Sequence, residues 1–104
     1  MGKSQRTKGA GFEREIVNVL RDAGIEADRN LSQTRDGGGD ISLPGLLIEC
    51  KRRAKISVYE WMDQAQAACE AEQRPVVVAR ADRRDAIAIM PLDLFVRLIG
   101  GKDA

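Results

Sequence analysis

The chain has 104 residues, 43% hydrophobic and 32% charged with a formal net charge of +1, which describes one globular domain and excludes a disordered chain or one built around a membrane span. It has no histidine and only two cysteines, Cys50 and Cys69, so histidine-dependent nucleophiles, nearly all zinc enzymes and a disulfide framework are excluded as well. Hydrolytic chemistry would fall to carboxylates, lysine and a hard metal ion, and the basic N-terminus, lacking an apolar segment behind it, predicts a cytoplasmic, reducing location.

Residues 1–8 read as a flexible basic arm carrying Lys3, Arg6 and Lys8, ahead of a single domain over 9–104. A first helix is predicted over 9–23, with Phe12, Ile16, Val17, Val19, Leu20 and Ala23 on one arc and Gly24 as its terminator. Ile25–Arg29 reads as a short strand, and the polar, glycine-rich 30–39 as a loop. Asp40–Leu43 and Leu46–Lys51 predict two strands turning at Pro44-Gly45. Ser57 and Glu60 form a capping box for a second helix reaching about Glu72, with Val58, Trp61, Met62, Ala65, Ala68 and Cys69 on its apolar arc. Val76–Ala81 and Ala86–Met90 are predicted strands around the charged turn Asp82–Asp85, and Pro91 opens a last helix, Leu92–Ile99. The order α-β-β-β-α-β-β-α predicts an α/β fold, a mixed central sheet flanked by helices.

Chemistry concentrates in the Pro44-Gly45 hairpin. Side chains alternate along a strand, so Glu49 and Lys51 share one face while Cys50 points into the opposite layer as a small core residue. Symmetric pairing about the turn sets Leu43 opposite Leu46 and Asp40 opposite Glu49, where directly facing Cβ atoms stand about 5 Å apart. Two facing carboxylates repel, a poor structural choice but a good one for a divalent cation such as Mg²⁺. Lys51 could orient an attacking water and offset charge on a phosphate. Glu13 lies inside the apolar arc of the first helix and Glu15 outside it. A core-facing glutamate needs a partner or a metal. If that helix packs on the face carrying Asp40 and Glu49, Glu13 joins them as a third metal ligand.

Taken together, KGxxFERE over 8–15, GGGD over 37–40, LLIECK over 46–51 and Ser57-Val58-x-x-Trp61 resemble the restriction-endonuclease-like superfamily of PD-(D/E)xK nucleases. Within it, the archaeal-type Holliday junction resolvases and their phage or prophage relatives look most similar, over roughly residues 8–99. The resemblance implies a Mg²⁺ site (Mn²⁺ as substitute) at Glu13, Asp40 and Glu49, with Lys51 catalytic beside them. It implies a catalytic glutamine on the helix after Glu-x-Lys, at Gln64 or at Gln66. A family arginine and loop serines correspond loosely to Arg29 and Ser32. With Arg35 in the same loop, Arg52, Arg53 and Lys55 after the motif, and Lys3, Arg6 and Lys8 in the arm, these make the expected DNA-contact set. The implied partner is branched double-stranded DNA, cut at four-way junctions by paired nicks from a homodimer, in a bacterial, archaeal or phage-infected cell.

Several signals stay open on the residues alone. Arg80, Arg83 and Arg84 make a further basic cluster, diluted by Asp82 and Asp85. Trp61 and Tyr59 could stack on unpaired bases, though the place of Trp61 on the apolar arc favours the core or a dimer interface. The triple glycine could cradle a phosphate. Action on a flap, nick or plain duplex, or a non-catalytic nucleic-acid-binding module, are the alternatives to junction cleavage.

Overall fold

The computed structural model describes residues 2–29 and 40–101, with side chains from residue 11 onward. Its elements run α1 (Gly2–Asp22), β1 (Ile41–Leu43), β2 (Leu46–Arg52), α2 (Val58–Ala68), β3 (Arg74–Arg80), β4 (Ile87–Ile89) and α3 (Leu92–Leu98). The four strands form one mixed sheet in the order β1-β2-β3-β4. β1 and β4 pair antiparallel to their neighbours, and β2 pairs parallel with β3. A parallel pair needs a long crossover, which α2 supplies. This is the restriction-endonuclease-like arrangement expected.

One expected strand is missing. Ile25–Arg29 contributes only an isolated antiparallel bridge, Arg29 to Ile41, so the order is α-β-β-α-β-β-α. The segment is tied instead to the end of α1, where Arg21 donates to the Ala27 carbonyl and pairs with Asp28. α1 also starts earlier than expected, with helical backbone from Gly2. It ends as predicted: Gly24 has φ +87. The Gly24 N–H donates to the Arg21 carbonyl and the Ile25 N–H to the Leu20 carbonyl, a Schellman end that satisfies orphan carbonyls.

The hairpin keeps its predicted register, with Ile41 opposite Ile48, Ser42 opposite Leu47 and Leu43 opposite Leu46. Gly45 sits at φ +80, a turn conformation that costs glycine little. α2 stops at Ala68 rather than Glu72, and Ser57 is its N-cap without a side-chain cap bond, so the capping box is not formed.

Two cores flank the sheet. On one face Phe12, Ile16 and Val17 of α1 meet Ile41, Ile48, Cys50 and Val76, with Leu94 of α3. On the other, Trp61 and Ala65 of α2 pack on Val77 and Ala79. Burying each large apolar side chain contributes about 1.5–3 kcal/mol. Trp61 is therefore a core residue, 6% exposed, whereas Tyr59 is 83% exposed. The apolar arc of α1 is narrower than predicted: Val19 and Ala23 are exposed.

The faces also correct the expected docking of α1. Glu49 and Lys51 lie beside Val77 and Ala79 in the β2–β3 register, on the face that α2 covers. α1 covers the opposite face, with Ile48 and Cys50.

Candidate active site

Asp40 directly precedes β1 and is held to β2 by two bonds. Its N–H donates to the Ile48 carbonyl at 3.1 Å. Its Oδ2 accepts from the Cys50 N–H at 2.7 Å. The paired register ends at Ile41 opposite Ile48; one residue beyond it, these two bonds, to the neighbours of Glu49 on either side, bring the Asp40 carboxylate to the level of Glu49. Burial, then the Glu49 charge, push the Asp40 carboxyl up to about 8, against the Cys50 hydrogen bond. At neutral pH its protonated form is favoured.

Glu49 is 8% exposed in the middle of β2. Its Oε1 lies 3.8 Å from Lys51 Nζ, an ion pair beyond hydrogen-bonding distance. Its Oε2 is buried with no hydrogen-bond partner among the described residues. Burial raises the Glu49 carboxyl above its usual range, Lys51 opposes that, and Glu13 adds to it.

Glu13 is also 8% exposed and reaches the group although α1 packs on the far face. Its charge adds to the upward push on the Asp40 carboxyl. Arg29 holds its Oε2 through Nε and a terminal nitrogen, each at 3.1 Å. The Arg29 backbone bridges to Ile41, next to Asp40, so the guanidinium is anchored where it is used. The same three carboxylates, after burial itself, hold the Cys50 thiol well above its usual range, which makes it an inert core thiol.

Two buried carboxylates, Glu13 and Glu49, and the half-buried Asp40 thus stand with two cations, Arg29 and Lys51. Among the described residues, no three acidic or cysteine side chains converge into a preformed metal cage. Asp40 and Glu49 still fit a divalent cation. They are two hard oxygen donors held at one level of the sheet, one with an orphaned buried oxygen. Mg²⁺ commonly binds one or two carboxylates and completes its sphere with water and phosphate.

The other predicted residues divide. Gln64 and Gln66 are both exposed on α2, and neither is hydrogen-bonded to the carboxylates among the described residues. Arg29, expected on DNA, is bonded to Glu13. Ser32, Arg35 and the triple glycine lie outside the described residues, as do the side chains of Lys3, Arg6 and Lys8. Arg52 and Arg80 are register partners at the ends of β2 and β3. That pairing joins two of the basic clusters seen in the sequence, with Arg53 and Lys55 exposed beside them. Arg80 is held by Glu15 at 3.0 Å.

One feature had no sequence signal. Arg29 lines a groove of about 430 Å³ together with Arg14, Val17, Asn18, Arg21 and Asp28. Four of its six lining residues belong to α1, and Arg14 is exposed in it.

A mixed sheet whose first hairpin is preceded by an aspartate bonded to both neighbours of the glutamate of a Glu-x-Lys is consistent with the PD-(D/E)xK nucleases, a superfamily whose members generally use divalent metals. The family model described as "Phage putative PDDEXK endonuclease" matches residues 4–99, and the chain belongs to that family. No curated protein and no solved structure matches it.

Proposed function

We propose that this protein is a Mg²⁺-dependent, structure-selective DNA endonuclease that hydrolyses phosphodiester bonds and resolves four-way junctions by paired nicks. The observation that carries the chemistry is the pairing of half-buried Asp40 with buried Glu49, with the unpartnered Glu49 Oε2 and Lys51 on the adjacent pleat. Bound to these carboxylates, Mg²⁺ would act as a Lewis acid on the phosphodiester and lower the pKa of attacking water. Asp40, in its ionised form, and Glu49 would be the residues to hold it. Glu49, through its ion pair, also positions Lys51. Lys51 donates toward the attacking water and offsets negative charge building on the phosphate, the kind of electrostatic aid that acts most strongly in a water-poor site.

DNA as substrate is supported by the cationic ends of β2 and β3, where Arg52 and Arg80 are register partners with Arg53 and Lys55 exposed beside them, and by exposed Arg14 on the groove that Arg29 also lines. Guanidinium groups suit phosphate oxygens. The preference for four-way junctions and the homodimer rest on the resemblance to junction resolvases. Exposed Leu92, Phe95, Leu98 and Ile99, on and just after α3, offer apolar surface for a second copy. A cleavage panel of junction, flap, nick and linear duplex with Mg²⁺ tests the substrate. Paired symmetric nicks in the junction alone are expected. Equal cutting of linear duplex would remove the structure selectivity, and intact DNA throughout would remove the nuclease reading.

A further inference from the structure

Arg29 is bonded to a site carboxylate rather than offered to solvent. Both its Nε and a terminal nitrogen address one atom, Glu13 Oε2, at 3.1 Å. The pair is largely buried, with side-chain exposures of 21% and 11%. The Arg29 backbone is bridged to β1, so the guanidinium is held against the cluster. On the far side of the group Lys51 neutralises Glu49 more loosely, at 3.8 Å. A cluster of like charges in a poorly solvated pocket needs cations to fold at all. Arg29 is the tightest cation it has.

We propose that Arg29 is a built-in counter-cation for Glu13 that competes with the divalent ion for the carboxylate cluster. In the metal-free protein it stabilises the fold by neutralising Glu13. When a divalent ion enters at Asp40 and Glu49, the local charge turns positive and the Arg29–Glu13 pair is weakened. Glu13 becomes available to the ion or its waters. Arg29 also lines the groove with Arg14, Asn18, Arg21 and Asp28, so open space adjoins it on release.

The inference rests on the reading that these carboxylates take a divalent ion, and its test separates the two. Mn²⁺ affinity is measured by titration calorimetry and electron paramagnetic resonance for the full chain, without DNA, in wild type, Arg29→Gln, Arg29→Lys and Asp40→Asn. Metal-free thermal stability is measured alongside. A competing counter-cation predicts opposite movements in Arg29→Gln: a lower melting temperature, but Mn²⁺ bound on the order of tenfold more tightly. A purely structural arginine would lower both. Arg29→Lys keeps the charge but not the two N–H groups on one oxygen, so it gives a smaller gain and carries the test should Arg29→Gln not fold. Wild-type binding that is unchanged or weaker in both Arg29 variants overturns the inference alone. Absent binding in wild type, or full binding in Asp40→Asn, overturns the metal reading and the inference with it.

Discussion

The Asp40 carboxylate accepts a hydrogen bond from the Cys50 backbone N–H at 2.7 Å, and this bond fixes it beside Glu49. The position costs stability. The Asp40 carboxyl is pushed from 3.8 to about 8, chiefly by burial and then by Glu49, and Glu49 is raised as well. The folded chain therefore holds protons that the unfolded chain releases. For such groups the stabilising contribution is full below the unfolded value and is lost as pH rises through the folded one. The metal-free protein should melt at progressively lower temperature between about pH 4 and pH 8. Asp40→Asn should flatten much of that slope, and Mg²⁺ at pH 8 should restore the wild type but not the variant. Thermal melts across this range, with and without Mg²⁺, check all three.

Lys51 differs from the carboxylates in what its loss should do. It is paired with Glu49 but is not a metal ligand, so Lys51→Met should not weaken Mn²⁺ binding and, by removing a competing cation, should tighten it. Cleavage should fall by about 10²–10³, the usual cost of removing one group that stabilises transition-state charge. Single-turnover cleavage and metal titration on the same preparation separate the two effects.

Arg14 is exposed on the wall of the groove that Arg29 also lines. If that groove carries one phosphate on Arg14, Arg14→Ala should reduce the slope of log K against log salt by about 0.9. Single-turnover cleavage at saturating DNA should change little. Binding isotherms at several salt concentrations, with Ca²⁺ in place of Mg²⁺, measure the slope.

Phe12 is 1% exposed and among the largest fully buried side chains. Phe12→Ala should cost about 3–5 kcal/mol in denaturant unfolding. On a domain of this size that removes much of the total stability. Glu13, one residue on, should cost far less when changed to Gln, because its acceptor oxygen for Arg29 is kept.

The site was legible in the sequence where local chemistry decides. Pro44-Gly45 sets the turn, the turn sets the register, and two bonds one residue beyond it bring Asp40 to the level of Glu49. The helix period placed Glu13 inside the buried arc and Glu15 outside it; Glu15 is indeed half-exposed and paired with Arg80. A helix wheel tells which side of a helix is buried but not which sheet face receives it, and α1 took the face opposite to the one expected. Ile25–Arg29 has strand-like composition, yet Arg21 ties it back to α1 and only Arg29 reaches β1. The Arg29–Glu13 pair joins residues sixteen apart through tertiary structure, and no spacing rule announces it.

The central claim is that Asp40 and Glu49 hold the metal of a DNA-cleaving centre. Cleavage of a synthetic four-way junction, wild type against Asp40→Asn, with and without Mg²⁺, tests it most directly. The account predicts paired nicks from the wild type only when Mg²⁺ is present, and none from Asp40→Asn although it stays folded. Cleavage that persists in Asp40→Asn, or that proceeds equally without a divalent ion, would contradict it.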